Sequence, residues 1–308
     1  MPHPRRTAHL DRIRTLDPRA DAHEIYRTTT LYEFPWEMVL GLNLALYRTF
    51  ASPRIAAVVA GTGEMTHTPK KRANDTGLFM FELIQHGYDH PRGREVVRRL
   101  NRMHSGLGVA NVDFVYVLGA FVVAPTRFLD ESGWRPLCCH ERAATYEFYA
   151  ELGRRMNLSD VPPDYAGLAE FFDAYEDEHL GYSSEGAALM AATQQIIADR
   201  NPRLLAPLTG LLTGVLLDER LCHCLGVRTA PVWAHRAWRA ALRTRGAIVR
   251  QRGPRQESWF TPGAAVEGVY PHGYVLSELG PGDAHRPRVV RRGDPSSDGS
   301  SNCREETR

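Results

Sequence analysis

The stretch Glu95-Val96-Val97-Arg98-Arg99-Leu100-Asn101-Arg102-Met103-His104 sets the reading of the whole chain. Val96, Val97, Leu100, Met103 and His104 recur at three- and four-residue steps, so on a helix they share one face. The same spacing recurs further along the chain. Tyr146, Tyr149, Leu152 and Met156 repeat it, as do Leu168, Phe171, Phe172, Tyr175 and His179. Leu204–Leu217 is apolar most of the way round and reads as a core helix. Val232–Arg252 reads as an amphipathic helix, with Trp233, Ala237, Ala240 and Ala241 on one side and arginines on the other. Pro125, Pro136, Pro162-Pro163, Pro202 and Pro231 punctuate these segments, and Pro202 and Pro231 suit helix starts. Period-two alternation is scarce, with Gly268–Leu276 the best short strand candidate. The expected fold is all-α, a single globular helical domain. Residues 1–22 read as a loosely held polar N-terminal arm, 23–280 as the body and 281–308 as a disordered tail with too little apolar surface to pack.

Composition removes several function classes. The chain has 308 residues with 38 basic and 36 acidic side chains, a net charge of +2, and 43% hydrophobic residues. A wholly disordered chain is excluded by that hydrophobic share. All basic residues except Lys70 and Lys71 are arginines, a base-composition habit rather than a nucleic-acid footprint, and no nucleic-acid partner is expected. No apolar run reaches the roughly 18 residues of a membrane span. Met1-Pro2-His3-Pro4-Arg5-Arg6 leads into Leu10, Asp11 and Arg12, which is no secretory signal. The cysteines are five, Cys138, Cys139, Cys222, Cys224 and Cys303, and an odd count without a signal suggests reduced thiols in a cytoplasmic protein.

Four constellations can carry chemistry. His104 ends an apolar helical face. It reads either as a buried histidine hydrogen-bonded to backbone or as an axial ligand presented to a haem iron. Arg72 and Thr76 lie four apart, on one helical face. They read either as part of a solvated, capped turn or as a pair that holds a haem propionate or polarises dioxygen. Glu64-Met65-Thr66-His67 and Glu176-Asp177-Glu178-His179 are two Glu-x-x-His runs, which in four-helix proteins can build a di-iron centre. The second lies on a clear helix, whereas the first sits among glycines and threonines and reads as loop. Arg228–Gln256 holds eight arginines and no acid, with Trp233 and Trp238 interleaved. It is either a solvated helix face or a surface for phosphates or membrane. The chain has no Cys-x-x-Cys-His string, so any haem is held non-covalently.

Together, these and other motifs resemble the MpaB-like and rubber oxygenase family, also called latex clearing protein-like, over residues 25 to 280. The resemblance is carried by Phe34-Pro35-Trp36-Glu37, Ala45-Leu46-Tyr47-Arg48-Thr49-Phe50, Thr62-Gly63-Glu64, Arg72-x-x-x-Thr76, the run from Arg98 to His104, and Asn111-x-Asp113-x-x-Tyr116-Val117-Leu118. It continues through Arg135-Pro136-Leu137, Gly153-Arg154-Arg155-Met156, Tyr175-Glu176-x-x-His179, Gly273-Tyr274 and Leu279-Gly280-Pro281. The resemblance implies an all-α fold with one haem b in the helical core, its iron ligated by His104, and Arg72 and Thr76 beside it as catalytic residues. It implies dioxygen as co-substrate and oxygenative cleavage of a carbon–carbon double bond in an isoprenoid-like, lipophilic small molecule. Histidine ligation gives less electron push for O–O heterolysis than cysteinate, which suits dioxygenase-like addition. Rubber oxygenases carry a lysine before the threonine. Asp75 stands there in this chain, so the sixth iron site is expected open or water-bound. Glu64 is a candidate base for an allylic proton. Fungal members are anchored at the endoplasmic reticulum. Here no anchor is evident, and the arginine-rich helix offers peripheral contact with a membrane. Two other readings remain: a non-haem di-iron oxidase and a haem-binding protein without catalysis.

Overall fold

The computed structural model describes residues 5–199 and 208–281, and among them the architecture is helical with no strand. In chain order the helices are α1 (Ala8–Ile13), α2 (Ala22–Thr28), α3 (Pro35–Phe50), α4 (Pro53–Gly61), α5 (Glu64–His67), α6 (Pro69–His86), α7 (Pro91–His104), α8 (Asn111–Ser132), α9 (Cys139–Arg155), α10 (Tyr165–His179), α11 (Ser184–Asp199), α12 (Leu208–Leu216), α13 (Glu219–Cys224) and α14 (Val232–Gln251). Helices α3, α4, α6 and α7 each open on a proline. Its fixed φ suits a first turn, and the N–H it lacks would have had no partner there.

Helix α8 is the axis of the body and packs against α3, α9 and α10. It is long and apolar enough to cross a membrane, yet 67% of its apolar window is buried within the fold. The α3–α8 crossing is close because Gly41 has no side chain. A Cβ there would stand 2.8 Å from Pro125 Cα. Pro125 lies inside α8 and deletes the hydrogen bond to the Phe121 carbonyl. Aromatic side chains fill the surrounding core, with Tyr26, Phe34, Tyr116, Phe148, Tyr149 and Phe172 almost fully buried.

A buried charge network ties the start of the chain to this core. Arg135 reaches Glu33 at 2.8 Å and Glu141 at 2.7 Å, and both carboxylates are wholly shielded from water. Arg6 adds a third contact, to Glu33 at 2.7 Å, and stacks over Trp134. Trp134 Nε1 donates to the Glu33 carbonyl at 3.1 Å. Burial works to lower the Arg135 pKa, but Glu141 and Glu33 reverse this and leave it raised.

Several sequence expectations change in three dimensions. The described part of the N-terminal arm is not loosely held: Leu10 and Ile13 are buried and Arg6 is locked to Glu33. Gly268–Leu276 is not a strand; only an isolated bridge joins Val266 and Tyr270, because no neighbouring strand offers a ladder. In the expected core helix Leu204–Leu217, the described part buries Thr209, Thr213, Gly214 and Leu217 and leaves Leu208 and Leu212 exposed. Helix α14 buries Ala234, Leu242 and Gly246, so the side bearing Trp233 faces outward. Pro202 and the tail beyond residue 281 lie outside the described residues.

Candidate functional site

Helices α6 and α7 position the three residues singled out in the sequence. His104 is the last residue of α7, below the buried Val96 and Val97. Its Nδ1 lies 2.7 Å from the Leu100 carbonyl oxygen. A carbonyl can only accept, so Nδ1 carries the proton and Nε2 carries the lone pair. Nε2 makes no hydrogen bond among the described residues. The ring meets Phe114 of α8 edge-on at 5.6 Å. Burial lowers the His104 pKa below its ordinary 6.5; the Leu100 hydrogen bond opposes this and the charge of Arg72 reinforces it. The imidazole is therefore held neutral, oriented from a rigid helix, with a free ligating nitrogen.

Arg72 and Thr76 sit one turn apart on α6. Arg72 Nη1 donates to Thr76 Oγ1, and Thr76 Oγ1 donates to the Arg72 carbonyl at 3.1 Å. Among the described residues, no carboxylate comes within ion-pair reach of Arg72. Burial lowers its pKa, and the fields of Asp75 and Glu64 only partly offset this. A half-buried guanidinium without a counter-ion is costly to keep. The structure thus brings Arg72 and Thr76 into contact and places His104 within the electrostatic reach of Arg72.

Glu64 adds a second uncompensated group. Gly63, at φ 70°, turns the chain into α5, and Glu64 is buried behind it. Thr68 Oγ1 donates to Glu64 Oε2 at 3.1 Å, while Glu64 Oε1 is buried without a partner. The first Glu-x-x-His run is therefore a single helical turn rather than loop.

Asp75 plays a part the sequence did not show. It points away from Arg72 and Thr76 into a different set of partners. Lys71 Nζ reaches it at 2.5 Å, the Tyr270 hydroxyl donates at 2.6 Å and the Gly280 N–H donates at 2.8 Å. Arg99 holds the Ser277 and Leu279 carbonyls at 2.9 and 2.7 Å. Tyr274 donates to the buried Glu82 at 2.7 Å. A strap over residues 270–280 is thereby fastened across α6 and α7. The sequence signal was only a carboxylate four residues after a lysine on one helix.

The two Glu-x-x-His runs do not converge: among the described residues no three His, Cys, Asp or Glu side chains gather as a metal site requires. Glu176 is instead held by Arg48 at 2.7 Å and by the Tyr116 hydroxyl at 3.0 Å.

The body is thus all-helical, with an oriented imidazole within the electrostatic reach of a guanidinium that has no carboxylate partner among the described residues. The family model described as the catalytic domain of ER-bound oxygenase mpaB/B'/rubber oxygenase matches residues 33–250, and the chain belongs to this family. It is an oxidoreductase. It is 26% identical over 221 residues to the ER-bound oxygenase mpaB of Penicillium roqueforti, covering 65% of this chain and 74% of that protein. It is 24% identical over 253 residues to the ER-bound oxygenase mpaB' of Penicillium brevicompactum, covering 76% of this chain and 60% of that one. In fold it is similar to latex clearing protein in its closed state, with a TM-score of 0.52 and 15% identity over 78% of this chain and 71% of that one.

Proposed function

We propose that the protein is a haem b-dependent oxygenase that uses dioxygen to cleave a carbon–carbon double bond in an isoprenoid-like or other lipophilic small molecule. The observation that carries this reading is His104. Its Nδ1 is tied to Leu100 and its Nε2 is free, beside an arginine without a carboxylate. These residues fit the group: a ligating nitrogen for iron, and a guanidinium and hydroxyl for a propionate. The haem, when bound, supplies the redox chemistry with dioxygen.

The chain's own contribution follows from its geometry. The Leu100 carbonyl fixes the His104 tautomer and raises the basicity of Nε2, as partners behind a ligating histidine do. Burial keeps His104 unprotonated and thus able to ligate. Arg72 neutralises a carboxylate, and Thr76 holds the guanidinium in place. Glu64, whose Oε1 is buried without a hydrogen-bond partner among the described residues, is the base we assign to an allylic proton. The strap is clamped across α6 and α7 by Asp75 and Arg99. We place the protein in the cytoplasm, in peripheral contact with the membrane that supplies its substrate.

The test is an absorption spectrum with a pyridine haemochrome assay on wild type and His104→Ala. A Soret band at full stoichiometry that is lost or shifted in the variant is expected. A wild type that stays colourless after haem reconstitution overturns the haem assignment. A Soret band without substrate-dependent oxygen uptake would leave a haem-binding protein without catalysis.

A further inference from the structure

Helix α12 presses a face of small residues against the chain and leaves part of its apolar side outside, while Leu216 packs on the core. It buries Thr209, Thr213 and Gly214 and presents Leu208 and Leu212 to the outside, 44% and 46% exposed. A helix in water ordinarily does the reverse. Gly214 explains the packing: a Cβ there would stand 2.4 Å from the Arg228 carbonyl oxygen, so this face must be the one pressed against the chain. The threonine hydroxyl of Thr213 is satisfied within the helix, by the Thr209 carbonyl at 2.8 Å. Leu208 and Leu212 are left with no protein to cover them among the described residues.

Helix α14 packs against α12 and continues the surface. Trp233 is 64% exposed and Val232 65%. Ala237, Ala240, Ala247 and Ile248 extend the outward stripe at helical spacing. Arg236, Arg239, Arg243 and Arg250 run along one edge of that stripe. None of the four forms an ion pair among the described residues, although Arg250 donates to the Trp134 carbonyl at 2.6 Å; Arg245, on the inner edge, is paired with Glu37.

We infer that the outward faces of α12 and α14 form one docking surface for an anionic lipid bilayer. The proposal rests on the peripheral membrane contact proposed above, and names the surface that makes it. Apolar side chains of this kind gain from entering the acyl boundary, and unpaired arginines beside them gain from lipid phosphates. A nucleic acid would use the arginines and leave the leucines, Trp233 and Ile248 wet. A second copy meeting the same patch would oppose arginine to arginine across a twofold axis. The bilayer alone satisfies both halves of the surface.

The experiment is flotation of the full chain with phosphatidylcholine vesicles, with and without phosphatidylglycerol. Binding only to the vesicles containing phosphatidylglycerol, reversed by salt, is expected. Arg239→Glu/Arg243→Glu should weaken binding roughly tenfold or more. Arg14→Glu/Arg94→Glu, an equal charge change at exposed, unpaired positions elsewhere, should not. Vesicles with brominated acyl chains should quench tryptophan fluorescence in the wild type, and Trp233→Phe should remove most of that quenching. All these positions are exposed, and thermal melts check that each variant folds. Absence of flotation at low salt, equal loss in both double variants, or binding to a DNA duplex with none to vesicles would overturn the proposal. The assay needs neither haem nor turnover, so its failure is distinct from failure of the oxygenase reading.

Discussion

Arg135 and Arg72 are both guanidinium groups taken largely out of water, and the fold treats them in opposite ways. Arg135 faces two wholly buried carboxylates, Glu33 and Glu141, and its pKa is raised above its ordinary value despite burial. Arg72 has a threonine hydroxyl and no carboxylate in reach, and its pKa is lowered. The first is a closed circuit that joins the turn before α1, the α2–α3 junction, the α8–α9 connection and the start of α9. The second is open, a half-buried cation left uncompensated within the chain.

Breaking the closed circuit should have the largest effect. Arg135→Ala leaves two buried carboxylates facing one another with only Arg6 nearby, and should cost about 3–5 kcal/mol of unfolding free energy. Urea denaturation measures it, and a loss below about 1 kcal/mol would mean that water already reaches this network.

The strap anchor comes next. Asp75→Ala removes the acceptor for Lys71, Tyr270 and Gly280 and should cost about 2–3 kcal/mol, with faster amide exchange at Gly280 than in wild type. Unchanged exchange there would show that Arg99, Lys71 and the Tyr274–Glu82 bond hold the strap without Asp75.

Arg72→Met is the sharpest contrast. Replacing an uncompensated buried cation by an apolar side chain should leave the apo-protein as stable as wild type, within about 0.5 kcal/mol, or raise it, while haem affinity and oxygen uptake fall. A loss as large as that of Arg135→Ala would abolish the distinction between the two sites.

The smallest effect concerns Arg27, another arginine with no ion pair among the described residues. His23 and His86 both have lowered pKa values, through burial first and with Arg27 contributing. With folded values below the ordinary 6.5, the unfolded chain takes up protons first as pH falls. Stability should therefore drop as pH falls through about 6.5 and level off once the folded-state values are passed. Arg27→Gln should make that decline shallower in pH-dependent melts. A steeper decline would mean that Arg27 protects the histidines.

The helical class, the proline starts of α3, α4, α6 and α7, and the face that ends in His104 are determined by the sequence itself. They depend on spacing of three or four residues and on proline's own φ, both local properties. Arg72 and Thr76 were legible for the same reason, being one turn apart. What surrounds them was not. The partners of Asp75 are about 200 residues away at Tyr270 and Gly280, and local spacing carries no information about such contacts. The same holds for Arg135, whose role needs Glu33 from another helix junction. Amphipathic spacing in α14 fixed which residues share a side, but not which side meets the core. In α12 the apolar count suggested burial, and only the tight approach at Gly214 decided that Leu208 and Leu212 face out. Periodicity determines faces; close packing, acting between residues far apart in the chain, decides where each face points and which buried charges are left without a partner.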